Sequence, residues 1–441
     1  MRMPWLPSRN SASAPVPRIP LRTRTTEACA PLAIRPFRLH FTARMLSWTG
    51  SAVAPVGLAF AVLGLGAGAS GLGLVLAAGV VPQILLLLIG GVVADRFSRA
   101  RVMVWKNVLC AAAEGVAAVL LWAGSARVWH LVAISALCGA AGAFFAPAAG
   151  GVVVEVVPGE MRYQANALLK IGQNSVKVAG PAVGGALVAA FGPSWVIGWY
   201  AATFAAAAVL FARLDLAPAR TKLRTGFVRD LKDGWDDFWA RSWLWVMVLQ
   251  GAVVVPVWLV GYQMLGPVYG DRYLGGAAAW GLVVSAFTGG LVLGAAMALM
   301  WKPSRVGVVV CVGTGAMSLP LAAMALTLPL AVLAVSTCAA GTGLSVSMTV
   351  WSSLLQERIP KERLSRILSY STLGQVLPVP LGYVAAGPVS ALFGLRATLA
   401  AGAAAIVAAM FVPLMLSQVR ALTLAPAEAE AEAAVLVTAP R

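Results

Sequence analysis

Two ionisable residues sit in stretches otherwise too apolar to hold a charge. Glu114 lies about twelve residues into an apolar run near 102–124, hence ~18 Å deep at 1.5 Å per residue. Ionising a carboxyl in hydrocarbon is costly, which suits a group that takes up a proton and gives it back. A hydrogen-bonded glutamate that only fixes helix packing would satisfy the same pattern. On its helical face are Asn107, Cys110 and Ala118. Lys177 lies roughly 20 Å along another run, near 164–190. It shares a face with Asn166, Lys170 and Gln173, and a face that polar cannot point at lipid. Lys177 could pair with Glu114, line a cavity, or meet an anionic group on a cargo; pairing would keep Glu114 charged.

A second cluster stands at a boundary. The apolar run Leu72–Ala94 ends abruptly in Asp95, Arg96, Arg99 and Arg101, and a new run begins at Val102. Charges so dense belong at a membrane surface. The pattern Gly91-x-x-x-Asp95-Arg96-x-x-Arg99-x-Arg101, placed after a second hydrophobic span, resembles the loop signature of the major facilitator superfamily of secondary transporters; Ser98 replaces that family's second glycine. Gly180-Pro181-Ala-Val-Gly184-Gly185 resembles the fifth-span motif of the superfamily's proton-coupled exporters, with Val176 in place of an earlier glycine. Pro181 removes a backbone hydrogen bond and the glycines permit a tight crossing, so a kinked helix is expected there. Phe144-Phe145-Ala-Pro147 and Ala54-Pro55-Val-Gly-Leu-Ala-Phe60 are similar to stretches of a bacterial branch that exports drugs and secondary metabolites. That branch often carries an acid or amide early in its first span, where this chain has Ser51, which leaves Glu114 as the coupling candidate.

The resemblance implies a gate at the loop, formed by Asp95, Arg96, Arg99 and Arg101 with Glu155 and Arg162. It also implies a cargo cavity lined by the first, fourth, seventh and tenth spans. Ser51, Phe145, Gln250, Tyr262, Gln263 and Trp351 are its expected lining, an aromatic and almost uncharged set that suits a bulky amphipathic molecule.

These groups need a scaffold, and composition says which. The chain has 441 residues, 60% of them hydrophobic and 11% charged, too few charges to cover a water-facing surface. An all-α integral membrane protein follows. Apolar runs of membrane length fall near 38–66, 71–94, 102–124, 128–156, 164–190 and 195–213. After a polar interval come 244–269, 277–301, 305–326, 328–355, 366–390 and 395–418. About twelve transmembrane helices in two six-helix halves are expected, the halves spanning 37–213 and 244–418.

Residues 1–36 read as a basic, disordered extension and 419–441 as a disordered tail. Residues 214–243 read as a linker, with Phe227, Leu231, Trp235, Phe238 and Trp239 on one face of an amphipathic helix. A faint repeat relates the halves: Glu155-Val-Val-Pro158-Gly-Glu160 ends the fourth span and Glu357-Arg-Ile-Pro360-Lys-Glu362 the tenth.

Lys and Arg crowd one side of the predicted topology, so a multi-pass plasma-membrane protein with both termini cytoplasmic is expected. The same asymmetry accounts for the net charge of +17 without nucleic acid. The five cysteines and two histidines lack metal-ligand spacing, and no Gly-x-x-x-x-Gly-Lys-Ser/Thr loop occurs. No cofactor and no enzymatic chemistry are expected. The combined reading is a monomeric, proton-coupled exporter of amphipathic small molecules. Uptake or facilitated diffusion on the same scaffold is the alternative, and a non-transporting membrane partner a more distant one.

Overall fold

The computed structural model describes residues 29–96, 98–214, 239, 241–301, 303–359, 367 and 371–423, without the side chains of 87–96, 146–148, 150, 151 and 154. The expected amphipathic linker helix, the second copy of the repeat beyond Ile359, and most of both termini lie outside these residues.

Six helices build the first half: α1 (Arg35–Gly64), α2 (Gly68–Arg96), α3 (Arg99–Trp122), α4 (Val128–Val156), α5 (Arg162–Phe191) and α6 (Pro193–Ala212). The second half begins with α7 (Ser242–Trp258), which runs through a π-helical turn, Leu259–Met264, into α8 (Leu265–Tyr273). Then come α9 (Ala277–Met300), α10 (Val306–Gly315), α11 (Ser318–Ala325), α12 (Leu330–Arg358), α13 (Val379–Phe393) and α14 (Leu395–Met415).

Among the described residues, eleven helical segments are long and apolar enough to cross a membrane. α5 is not one of them, although it has 30 residues. Its polar face lowers its hydropathy without shortening it. A short 3₁₀ turn, Ala30–Ala33, precedes α1, within the stretch expected as an extension.

Local chemistry sets the ends. Ser98 caps α3, its hydroxyl accepting from the Arg101 N–H at 3.3 Å. Gly192 ends α5 with φ 85°, and Pro193 opens α6, where its missing N–H costs nothing.

The repeat is plainer in the backbone than in the residues. α4 ends on extended Val157 (φ −114°, ψ 127°), and α12 ends on extended Ile359 (φ −116°, ψ 126°). Gly192 and Gly394 join the last two helices of each half at φ 85°. The same spacing in sequence separates both pairs. Helix pairing repeats too: α2 packs on α4 as α9 packs on α12, and the halves meet through α5 on α9 and α2 on α13.

The halves touch at one end only, among the described contacts. A methyl group on Gly73 of α2 would fall on the Tyr383 carbonyl of α13, and one on Gly387 would fall on Ser70. Gly185 of α5 meets the Ala277 carbonyl of α9, and Gly281 the Pro181 carbonyl. The Ala182 N–H donates to Ser285 Oγ at 2.9 Å, also across the halves. Around these contacts one apolar cluster draws on both halves, with Leu72, Val75, Met264, Leu265, Trp280 and Tyr383 in it. At the arginine-bearing end, the buried clusters each draw on a single half. One end is closed; at the other, the halves stand apart among the described residues.

Candidate functional site

Glu114 sits inside the first half, on α3, and is 9% exposed. Cys138 of α4 donates to its Oε1 at 3.6 Å, and Cys110, one turn earlier on α3, packs with Cys138 in one small cluster. Tyr200 of α6 lies against the same group and bonds Ser51 of α1. Four helices therefore converge on one carboxyl.

Its charged neighbour is Lys106, two turns back on α3. The Lys106 ammonium rests 3.7 Å from the ring centre of Phe204 and 5.0 Å from that of Phe145. Arg44 of α1 approaches the same Phe145 at 5.2 Å and covers Trp48 at 4.5 Å. Cations held over aromatic faces keep part of the stabilisation that water would otherwise give. The interior of this half is thus aromatic, as expected, but it is charged. Arg44 and Lys106 escaped the sequence reading because both lie near span ends, where basic residues ordinarily reach toward headgroups. The available signal was the spacing of Lys106 from Glu114, which returns them to neighbouring faces of one helix.

Lys177 is not part of this group. It is exposed on α5, and the charge acting on it is Lys170, of the same sign. The stripe Asn166, Lys170, Gln173, Lys177 continues at helical spacing into Gly180, Gly184 and Val188, which are buried. A Cβ on Gly180 would strike Ala52, and Gly184 packs 3.1 Å from the Val53 backbone of α1. So this face of α5 is polar and largely exposed over its first half, and small or apolar and buried over its second. It is packed where the bundle is closed and exposed where the halves part. Pro181 cannot donate to the Lys177 carbonyl, which loosens the helix at the junction of the two regimes.

The loop charges divide. Arg99 and Glu155 form an ion pair at 3.5 Å, and the Arg162 guanidinium donates to the Val157 carbonyl at 3.1 Å. Both of these contacts lie within the first half. Arg101 is exposed, its backbone N–H bound to Ser98. The side chains of Asp95 and Arg96 are outside the described residues. Because Arg99 and Glu155 are 32% and 25% exposed, Glu155→Gln should lower stability by less than about 1 kcal/mol. Thermal melting in detergent measures this.

Several expected cavity residues serve the second half's interior instead. Gln250 is buried and donates to Thr314 Oγ1 at 3.1 Å, joining α7 to α10. Tyr262 stacks on Trp258 at 4.3 Å and donates to the Val283 carbonyl at 3.2 Å, deep in the closed end. Trp351 packs edge-on against Trp243 at 5.8 Å. Phe145 and Ser51 are already engaged in the first half. Gln263 is exposed and accepts from the Tyr383 hydroxyl at 3.4 Å. A resemblance nominates helices, whereas rotation about each axis decides which face is presented.

Two repeated helical halves, joined at one end around a polar interior, have the build of a secondary transporter. The family model described as Major Facilitator Superfamily matches residues 41–383, and the chain belongs to that superfamily. Among curated relatives, it is 26% identical over 406 residues to the multidrug efflux pump Tap of Mycobacterium tuberculosis, covering 89% of this chain and 96% of that one. It is 22% identical over 298 residues to macrolide efflux protein A of Enterococcus faecalis, covering 66% of this chain and 92% of that one.

Solved structures share the fold. The nucleoside transporter NupG superposes with a TM-score of 0.67 at 15% identity, over 87% of this chain and 98% of that one. A POT family transporter in complex with 5-aminolevulinic acid gives 0.71 at 11% identity, over 87% and 96%. The protein is a multi-pass membrane transporter, and its named curated relatives are efflux proteins.

Proposed function

We propose that the protein exports amphipathic small molecules across the cell membrane in exchange for protons, by alternating access. The observation that carries the coupling is Glu114: a single carboxyl enclosed by four helices of one half, at a depth where ionisation is costly. The efflux relatives support the direction of transport, and the aromatic, partly polar interior supports the cargo class.

In this reading both termini are cytoplasmic and the closed end faces outward. Cargo enters between the parted halves, along the α5 face that carries Lys170 and Lys177. The Gly73 and Gly185 contacts then open as the other end closes, and a proton arriving from outside at Glu114 favours the return. The working unit is a monomer.

The test is flux in proteoliposomes of known orientation, with lipophilic dyes and antibiotics as cargo. Uptake from the arginine-bearing face, driven by a proton gradient directed oppositely, is the expected result. Flux of the same size with the gradient collapsed would establish facilitated diffusion instead.

A further inference from the structure

The interior of the first half holds more positive charge than its own acids can balance. Arg44 and Lys106 approach the same Phe145 ring at 5.2 Å and 5.0 Å. The two charges are therefore within about 10 Å of each other, where like charges away from bulk water repel appreciably. Lys106 feels the carboxyl of Glu114, whereas no carboxylate acts on Arg44 among the described residues. Arg44 and Lys106 are partly buried, and charge withdrawn even in part from water is ordinarily paired.

Two further polar groups lie on the same helices. One turn before Arg44, on the same helical face, His40 is 1% exposed, and its Nδ1 has no hydrogen-bond partner among the described residues. It lies close enough to feel the Arg44 charge. On α3, beside Lys106, Asn107 is fully buried; its Nδ2 donates to the Met103 carbonyl at 2.7 Å, while its Oδ1 has no partner among the described residues. Buried polar atoms are nearly always bonded, so the two orphans mark polar volume; the Asn107 oxygen, an acceptor, calls for a donor such as water and not for the anion itself.

The geometry points to a binding site for one monovalent anion, of halide or carboxylate size, held between Arg44 and Lys106 and floored by Phe145, Trp48 and Phe204. The anion is either a free inorganic ion or the anionic group of a cargo. The groups facing it are His40 and Arg44 from α1, and Lys106, Cys110 and Glu114 from α3. Cys138 on α4 and Tyr200 on α6 complete the set. Glu114, when ionised, competes with the anion for Lys106. The site rests on the proposed function only in treating a cargo group as one source of the anion; its existence needs neither a proton gradient nor a direction of transport.

The test uses the full-length protein in a low-salt zwitterionic buffer, with chloride as the first probe, sulfate at matched ionic strength as the control, and thermal unfolding as the readout. A ligand that binds the folded state raises the melting temperature saturably. A fluorescent amphipathic carboxylate and its methyl ester form the second arm. Saturable stabilisation by chloride assigns a free ion. Stabilisation by the carboxylate but not its ester, with chloride inert, assigns a cargo group.

In either arm Arg44→Gln and Lys106→Gln should weaken the midpoint about tenfold or more, Arg44→Lys should largely restore it, and Glu114→Gln should tighten it. Equal melting in chloride and in sulfate at matched ionic strength, together with equal response to carboxylate and ester, would overturn the site. So would stabilisation that persists unchanged in both glutamine variants, which would mark simple salt screening. If a glutamine variant fails to fold, the wild-type comparisons and Arg44→Lys still decide.

Discussion

Replacing Glu114 by Gln should reduce gradient-driven accumulation of cargo to equality across the membrane, while exchange of cargo down its own gradient persists. A pH difference of one unit, worth about 1.4 kcal/mol, can sustain roughly tenfold accumulation when one proton is exchanged per cargo. Gln keeps the size and hydrogen-bonding capacity of the acid but cannot carry the proton. Cys138 would still find an oxygen acceptor, since the amide retains its carbonyl. The variant should therefore fold, and its loss should be one of coupling. Parallel measurements of cargo accumulation and cargo counterflow in proteoliposomes separate the two. A Gln variant that still concentrates cargo under a pH gradient would remove Glu114 from the coupling role.

The second large effect is expected at the closed end. Gly73→Leu would place side-chain atoms against the Tyr383 backbone carbonyl, which a helix cannot easily withdraw. Overpacking of this kind costs about 1–3 kcal/mol. Charged to one conformation only, that cost shifts a two-state balance about five- to a hundredfold away from the closed arrangement. A cysteine introduced at buried Ala77, in a background without the native cysteines, reports the shift. It should become reactive toward a membrane-impermeant thiol reagent in Gly73→Leu and stay protected when position 73 is Gly, with flux falling in parallel. Wild-type protection and wild-type flux in the leucine variant would show that the α2–α13 crossing does not gate transport.

The architecture was largely legible in the chain because the bilayer imposes it. A segment that crosses hydrocarbon must satisfy its own backbone and be apolar over about 20 residues, and both demands are one-dimensional. The partial exception is instructive. α5 has the length of its neighbours but not their hydropathy, because Lys170, Gln173 and Lys177 interrupt its apolar run. The motif Gly180-Pro181-Ala-Val-Gly184-Gly185 was equally readable. Its glycines do permit close crossings, Gly180 and Gly184 with α1 and Gly185 with α9.

The site was legible only in part. Glu114 stood out because a carboxyl in an apolar run is conspicuous whatever surrounds it. Its neighbour Lys106 did not, and Gln250, Tyr262 and Trp351, expected along one cargo cavity, each engage partners within the second half. Gln250 is satisfied by Thr314 within its own half, and Tyr262 belongs to the seal. Arg99 pairs with Glu155 between α3 and α4, a contact that no single segment specifies.

What the amino-acid order decides here is therefore the solvent, the helices and the groups that cannot face lipid. The fold decides which of those groups meet. Hydropathy constrains each helix against the bilayer separately, whereas the meeting of Lys106 with Glu114, or of Arg44 with Phe145, depends on how α1, α3, α4 and α6 are rotated about their axes. That rotation is set by side-chain packing among segments far apart in the chain, and no single segment encodes it.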